Sequence, residues 1–314
     1  MKKLSSIALL GALLGTGIYA ADSFRIKPVN EKIFLEQVRL LKYGNLEEKL
    51  SAIGNLEDYR SALAVKPLAL ALKGIAVENY PNSEYKYLTY SIPELDDKPE
   101  IKYYASRALG TLAHEDAILP LIEEYNRQEK NIKEEDSPFL KENEPSPLVT
   151  KKHRMSMVFA VGEMLRSLGE LPPRKDTYET LKTALSHKNY YVRSSAAEAY
   201  MKLGRAVNVK TLEEALEKEQ HPYAKASILS SIVGILKTED KHFMALIKLL
   251  NDKDPVIRTR AAVGLGEAGI RTAETPLRQT LLVEDYSVVR EALKLSILKI
   301  TSLVLPEFTA DQMK

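Results

Sequence analysis

The chain has 314 residues, of which 45% are apolar and 28% are charged, and it contains no cysteine. These proportions are typical of a folded protein with a sizeable core, and they exclude collagen-like and wholly disordered chains. Without cysteine the protein cannot form a disulfide, a zinc–thiolate site, an iron–sulfur cluster or a thiol nucleophile.

The N-terminal segment has the pattern of a secretory signal peptide. Lys2 and Lys3 precede an apolar run over residues 4–18, and small residues follow around Ala20. This order of a basic head, an apolar middle and a small-residue end predicts cleavage after Ala20. The apolar run is shorter than the roughly 20 residues that a bilayer-spanning helix needs. We therefore expect residues 1–20 to be removed and the mature chain to be periplasmic or secreted.

The charge balance argues against nucleic acid as a partner. The chain has 45 basic and 43 acidic residues, and residues 1–20 hold two of the basic ones and none of the acidic ones. The cleaved chain is then close to neutral, which gives no broad attraction to nucleic acid or to an anionic membrane. We expect neither nucleic-acid binding nor membrane insertion after cleavage.

One repeated pattern covers most of the remaining chain. Each copy opens with an aliphatic residue and a base, followed by small and apolar residues at helical spacing, as in IRTRAAVGLGEAG from Ile257. Between the copies lie leucines four residues apart, such as Leu246 and Leu250, which share one face of a helix. The pattern predicts pairs of amphipathic helices. The recurring bases are Lys49, Lys102, Arg154, Arg193, Lys225, Arg258 and Arg290.

Helix-boundary residues fit the same units. Asp254 is placed as an N-cap, Pro255 as a first helical residue and Gly269 as a helix end. One helical pair cannot cover its own apolar side, so neighbouring pairs must stack. The sequence predicts an all-α protein, an α-solenoid of about seven helical hairpins over residues 21–305, followed by a tail over residues 306–314.

The segment NDKDPVIRTRAAVGLGEAG, residues 251–269, resembles the HEAT repeat, in particular the short form found in phycobilisome-lyase-like HEAT proteins. The resemblance extends over residues 34–305 and implies an armadillo-like solenoid. In that family an acidic residue before the second helix bonds the base inside it, often between successive repeats. The matching position, six residues before each base, holds Asp96, Glu219, Asp252 and Glu284, and Tyr43, Leu148 and His187 in the other copies.

The seven recurring bases have two interpretations. They could line a groove for phosphates, or they could form a structural ladder that bonds turn carbonyls and the acids named above. Stacking of similar repeats by itself brings equivalent residues into one column. We therefore favour the structural ladder.

Two hairpins have long connections, at about residues 79–98 and 129–150. In a stack of hairpins both connections should leave along the same edge. The second insertion is charged, contains three prolines and offers Phe139 as an anchor. Extra residues around Pro172 and Pro173 predict either a bend or a joint between two stacks.

The first insertion and the helix after it are rich in tyrosine, a residue favoured at protein interfaces. The sequence leaves open whether these rings face a partner or pack locally. The candidate partner-binding residues are Tyr85, Tyr87, Tyr90, Tyr103, Tyr104 and Arg107, the last three expected on the exposed side of a second helix.

No motif of catalysis or cofactor binding is found in the sequence. The five histidines form no His-Glu-x-x-His pair, and no P-loop, nucleophile elbow or Rossmann glycine pattern is present. We expect no metal, no cofactor and no catalytic residue, and we predict a non-catalytic scaffold that binds another periplasmic or envelope protein.

Two alternatives to the scaffold stay open. The family resemblance implies a lyase- or chaperone-like action on a bound pigment or other cargo. The second alternative is a homodimer that assembles through the last helix, whose wide apolar surface includes Val289, Leu293 and Leu298.

Overall fold

The computed structural model describes residues 30–74, 98–139 and 149–302, with the side chains of residues 149–155 excepted. In these ranges all regular structure is helical, and it comprises fourteen α-helices with short 3-10 turns. Consecutive helices pair into seven hairpins across the described residues. The predicted all-α fold of about seven helical hairpins is thereby confirmed.

The chain divides into two compact units between Leu203 and Gly204. Pro172 and Pro173 both lie inside the first unit, so the division does not fall at these prolines. Gly204 has a left-handed φ of 65°, which glycine adopts without strain, and it directly follows the last helix of the first unit.

The first unit contains four hairpins. The two helices of each hairpin pack against each other, and the second helices also pack side by side from one hairpin to the next. This is the arrangement of an α-solenoid within the unit. Its helices are α1 (Glu31–Tyr43), α2 (Leu46–Asp58), α3 (Val65–Lys73), α4 (Pro99–Leu112), α5 (Ile118–Gln128), α6 (Val149–Leu168), α7 (Lys175–Ala184) and α8 (Tyr190–Leu203).

The second unit contains three hairpins with the same packing. Its core includes Phe243, Leu246, Leu265, Leu277 and Leu293, which are almost completely buried. The helices are α9 (Asn208–Lys218), α10 (Pro222–Leu236), α11 (Lys241–Lys248), α12 (Pro255–Ala268), α13 (Glu274–Val283) and α14 (Ser287–Ser302).

The helix boundaries follow from local hydrogen bonds. At the start of α12, the Asp254 carboxylate accepts the Val256 N–H at 2.8 Å, and Pro255 is the first helical residue. At its end, Gly269 takes the left-handed conformation. Each of these features was predicted from the sequence, because capping depends on residues only a few positions apart.

Small residues let the second helices approach closely. A Cβ atom at Gly264 of α12 would lie 2.0 Å from the Ser230 hydroxyl of α10. A Cβ atom at Gly162 of α6 would lie 2.6 Å from the Ser195 hydroxyl of α8. Any side chain at these glycines would push neighbouring helices apart.

The last helix uses most of its apolar surface inside its own unit. Val289, Leu293 and Ile300 of α14 are buried in the core, whereas Leu298 is 56% exposed. The apolar surface left free on the described part of α14 is therefore narrower than the sequence suggested. The tail over residues 306–314 lies outside the described residues.

Candidate protein-interaction surface

Three of the predicted partner-binding residues lie close together on α4. The Arg107 guanidinium stands 5.1 Å from the centre of the Tyr104 ring, a cation–π arrangement. Tyr103 and Tyr104 meet edge to face with ring centres 5.2 Å apart. Arg107 is 44% exposed and also lies 3.5 Å from the Glu57 carboxylate of α2. Tyr104 and Arg107 thus form an ordered, solvent-accessible pair.

Tyr103 is half-buried, as is Tyr104, whereas the sequence placed both on the exposed side. Burial raises the pKa of its phenol to about 12, and the Glu163 carboxylate acts in the same direction. The Arg166 and Arg107 guanidinium groups oppose this shift in the pKa of Tyr103. The phenol of Tyr103 is therefore within the electrostatic influence of charged groups on α6.

These groups belong to a buried polar network between α6 and α8. Arg166 is only 2% exposed. Its Nε donates to Glu163 Oε2 at 2.9 Å, and its Nη1 donates to the Ser195 hydroxyl at 2.9 Å and lies 3.5 Å from Glu198 Oε2. The guanidinium also stacks over the Tyr191 ring at 5.5 Å.

The charge on Arg166 is stabilised by its partners. Burial lowers the pKa of Arg166, but Tyr191, Glu163 and Glu198 outweigh this effect and raise the pKa well above the usual value for arginine. Sequence reasoning missed this network. The available signal was the Glu-x-x-Arg spacing of Glu163 and Arg166 on a helix that is otherwise small and apolar.

An aromatic cluster adjoins the network. Phe139, Phe159 and Tyr191 meet edge to face, with ring centres between 5.5 and 6.4 Å apart. Phe139 belongs to the second insertion, and it holds the described part of that insertion against α6 and α8. The sequence proposed Phe139 for this contact because it is one of the few apolar residues in a charged segment.

One recurring base is completely buried. Lys102 of α4 donates to the Leu72 carbonyl of α3 at 2.9 Å and to the Glu124 carboxylate of α5 at 2.7 Å. The first contact lies within its own hairpin and the second reaches the next hairpin. Lys102 is 0% exposed and Glu124 is 2% exposed, so the pair joins two hairpins inside the first unit.

Three recurring arginines bond the turn that precedes their own helix. Each donates to the carbonyl of the residue six positions earlier, from Arg193 to His187, from Arg258 to Asp252 and from Arg290 to Glu284. The distances are 2.8, 2.8 and 2.9 Å. These are bonds to turn carbonyls, as the structural ladder predicted, and they do not depend on which side chain the residue six positions earlier carries.

The side chain at that position has a different task. It accepts a hydrogen bond from the backbone N–H two residues further on. His187 accepts from Asn189, Glu219 from His221, Asp252 from Asp254 and Glu284 from Tyr286. The Glu284 carboxylate also accepts from Arg258 of the preceding hairpin at 2.7 and 2.8 Å. The acid therefore orders its own turn and, in this one case, links two hairpins.

The remaining recurring bases differ from one another in how deeply their side chains are buried. Lys225 is exposed and Lys49 is half-buried. The Arg154 side chain lies outside the described residues, as do Tyr85, Tyr87 and Tyr90, Asp96, Leu148 and the predicted signal peptide. The interface interpretation of the first insertion therefore stays a prediction for those tyrosines.

The part of the chain that the structure describes has neither a metal-binding cluster of side chains nor a helix of membrane-spanning character. Within it, no group of three or more histidine, aspartate or glutamate side chains could hold a metal ion. No helix within the same residues is both long and apolar enough to cross a membrane.

Comparison with known proteins finds similarity to known repeats in part of the chain. Residues 162–233 match the family model described as HEAT repeats. The complex of CpcE and CpcF of phycocyanin lyase from Nostoc sp. PCC7120 is 15% identical, with a TM-score of 0.49 over 91% of this chain and 99% of that chain. Two engineered proteins are 16% identical, with TM-scores of 0.34 and 0.32. They cover 86% and 85% of this chain, and 97% and 68% of their own chains. No curated protein matches the sequence.

Proposed function

We propose that this HEAT-repeat protein is a non-catalytic scaffold that binds another protein of the bacterial periplasm, after export and removal of residues 1–20. The observation that carries the proposal is the Tyr104–Arg107 pair on α4. Arginine and tyrosine are enriched among the residues that contribute most to protein–protein binding. Here the two side chains lie next to each other on one helix, where a partner protein can reach them.

The pair is already ordered before any partner arrives. Arg107 is held by the Tyr104 ring at 5.1 Å and by the Glu57 carboxylate at 3.5 Å. Immobilising a long side chain on binding costs about 0.5–1.5 kcal/mol, and an ordered side chain avoids part of that cost. The geometry therefore favours capture of a partner by Arg107 and Tyr104.

The surroundings of the pair keep α4 in place. Tyr103 packs edge to face on Tyr104 and reaches towards the Glu163 and Arg166 charges of α6. Lys102, one residue earlier, ties α4 to α3 and α5. Because these contacts are buried, substitution of Tyr103 or Lys102 should change stability as well as binding.

The test is to replace Tyr104 and Arg107 by alanine, singly and together. A photoreactive amino acid placed at Thr111 of α4 in intact cells should crosslink to a periplasmic protein, which mass spectrometry then names. We expect each single variant to weaken binding of that purified protein about tenfold, which corresponds to about 1.4 kcal/mol. The thermal unfolding midpoint should stay close to that of the unaltered protein.

Tyr43 gives a matched control. It is 45% exposed, and the Lys42 ammonium lies 5.1 Å from the centre of its ring. Tyr43→Ala therefore removes an exposed tyrosine of similar setting and should leave binding unchanged. Equal loss of binding for Tyr43→Ala and Tyr104→Ala, or none for Tyr104→Ala, would contradict the assigned surface. A mature product in the cytosolic fraction would contradict export.

The two alternatives from the sequence stay predictions. A pigment lyase or carrier predicts visible absorbance for the protein purified from its native host, whereas the scaffold predicts a colourless protein. A homodimer through α14 predicts a sedimentation coefficient that rises with protein concentration. Leu298→Glu should abolish that rise, since Leu298 is the most exposed apolar side chain of the described part of α14.

A further inference from the structure

The described part of the second insertion, residues 129–139, is fastened to the start of α8, and we name it the strap. The Asn189 amide Nδ2 donates to the carbonyls of Lys133 at 2.8 Å and Asp136 at 2.6 Å. The Ser137 and Tyr190 hydroxyls are 2.7 Å apart. The Phe139 ring then covers Tyr191 and Phe159, with ring centres 6.0 and 6.4 Å away.

Asn189 holds the strap only while its own turn is intact. Its backbone N–H donates to His187 Nδ1 at 3.0 Å. Its Oδ1 accepts the Tyr191 N–H at 2.9 Å, which caps α8. The opposite ring nitrogen, His187 Nε2, lies 3.4 Å from the Glu129 carboxylate at the start of the strap. His187 thus contacts the turn that holds the strap and also the strap itself.

The same turn recurs in three later hairpins with a carboxylate in place of the imidazole. Glu219, Asp252 and Glu284 each accept the N–H two residues further on, at 2.8, 2.9 and 3.0 Å. A carboxylate remains an acceptor throughout the neutral and mildly acidic range, but an imidazole loses its acceptor when it is protonated. The turn between α7 and α8, to which the strap is fastened, therefore differs from the three later turns in how it responds to acid.

We propose that His187 is a pH-sensitive switch that releases the strap in mild acid and uncovers the Phe159 and Tyr191 rings. Protonation of Nδ1 places an N–H opposite the Asn189 N–H, so the turn loses its hydrogen bond. The shift of Asn189 then removes its bonds to the Lys133 and Asp136 carbonyls. This inference rests on the contacts of the strap and does not depend on the proposed partner.

The burial of His187 and the charged groups around it determine in which direction its pKa is shifted. Burial lowers the pKa of His187, the Glu129 carboxylate partly offsets this, and Lys188 lowers it further. Arg193 donates to the His187 carbonyl at 2.8 Å, and the Asp136 carboxylate of the strap accepts the Lys133 N–H at 2.9 Å.

The sign of the pH dependence follows from these groups. In the released state the imidazole has the ordinary pKa of about 6.5, and in the fastened state its pKa is lower. The fastened state is therefore fully stable above about pH 6.5 and loses stability as the pH falls towards the lower pKa. Between the two pKa values, the ratio of released to fastened molecules rises at most about tenfold per pH unit.

Hydrogen–deuterium exchange of the full chain tests the switch, at about pH 7.5 and about pH 5.5. After correction for the intrinsic effect of pH on exchange, protection of the strap amides should fall several-fold at the lower pH. The turn at Asp252 provides an internal control, because its carboxylate acceptor keeps its hydrogen bond over this range. Its protection should not change.

Two variants separate the switch from general acid sensitivity. In His187→Asn the amide oxygen can accept the same N–H without titrating, so protection of the strap should be equal at both pH values. In Glu129→Gln the carboxylate that raises the pKa of His187 in the fastened state is lost, so release should begin near the same pH and be greater at about pH 5.5. An unchanged loss of protection in His187→Asn, or an unprotected strap in the unaltered protein at about pH 7.5, would overturn the proposal.

Discussion

Equivalent bases in the two units stand in different surroundings. In the first unit Lys102 is 0% exposed, and its partner Glu124 comes from the first helix of the next hairpin. In the second unit the Arg258 side chain is 13% exposed, and its partner Glu284 comes from the turn of the next hairpin. The repeat determines the position of a base on its helix. The packing of the neighbouring hairpin determines how deeply that base is buried and which acidic residue it pairs with.

The units also differ in how far they depart from the repeat. The second unit has short connections, and its arginines and acids mainly order their own turns. The first unit carries the strap, the Arg166 network and the Tyr104–Arg107 pair, none of which follows from the repeat pattern. Features suited to binding and regulation therefore concentrate where the repeat is least regular. Three predictions test this contrast.

The largest effect is expected for Lys102→Met. This change removes a buried cation and leaves the Glu124 carboxylate buried, a situation that costs about 3–5 kcal/mol. Arg127 and Gln128 still donate to Glu124, so we expect the lower end of that range. Urea denaturation measures the loss in the free energy of unfolding.

Lys225→Met is the matched control for Lys102→Met. Lys225 occupies the same repeat position but is exposed, so its substitution should change the free energy of unfolding by less than about 0.5 kcal/mol. Equal losses for the two variants would mean that the repeat position, rather than burial, sets the contribution of the base.

An intermediate effect is expected at the glycines of the second helices. Gly264→Ala places a Cβ atom 2.0 Å from the Ser230 hydroxyl, and such overpacking costs about 1–3 kcal/mol. Gly54 of α2 has nothing within 4 Å of its Cβ position, so Gly54→Ala should stabilise the protein by up to about 1 kcal/mol. Thermal unfolding midpoints should therefore move in opposite directions. A shift in the same direction would show that the helices rearrange freely.

The smallest effect concerns the Arg258–Glu284 pair. Its hydrogen bonds lower the pKa of Glu284, although burial acts in the opposite direction. A carboxyl with a lowered folded pKa stabilises the fold above its unfolded pKa of about 4.3, and this contribution is lost as the pH falls through the folded value. The Glu284 side chain is only 3% exposed, but Glu284→Gln keeps an amide oxygen that can accept from Arg258, so we expect a cost of about 1 kcal/mol.

Glu284→Gln should therefore lower the free energy of unfolding at neutral pH and match the unaltered protein in acid. Arg258→Met should abolish the same pH dependence, because Arg258 is the main cause of the lowered pKa. If the difference between Glu284→Gln and the unaltered protein is constant from about pH 7 to about pH 3, the pair does not titrate as described.

Much of the fold was predictable because its determinants are local. Asp254, Pro255 and Gly269 define the ends of α12 through contacts within a few residues. The resemblance to HEAT repeats is confirmed by the family match over residues 162–233. The position six residues before each base was also found from the sequence, and the bond expected between its acid and a base of a neighbouring repeat occurs at Glu284 and Arg258.

The buried charges were not predictable to the same extent. Glu163, Arg166 and Glu198 would be assigned to a solvated helix face, since charged residues are rarely buried. The structure buries them because α6 and α8 approach closely at Gly162 and Ser195. Tyr103 was expected on the exposed side of α4, but its side chain is half-buried, because α4 packs against α6.

The sequence by itself determined the helical hairpins, their order and their boundaries, because helical periodicity and capping act over at most a few residues. Only the tertiary structure decided which polar side chains are buried, which acid each base meets and what the strap covers. These contacts join residues from about 20 to more than 50 positions apart, and they exist only after neighbouring hairpins have packed.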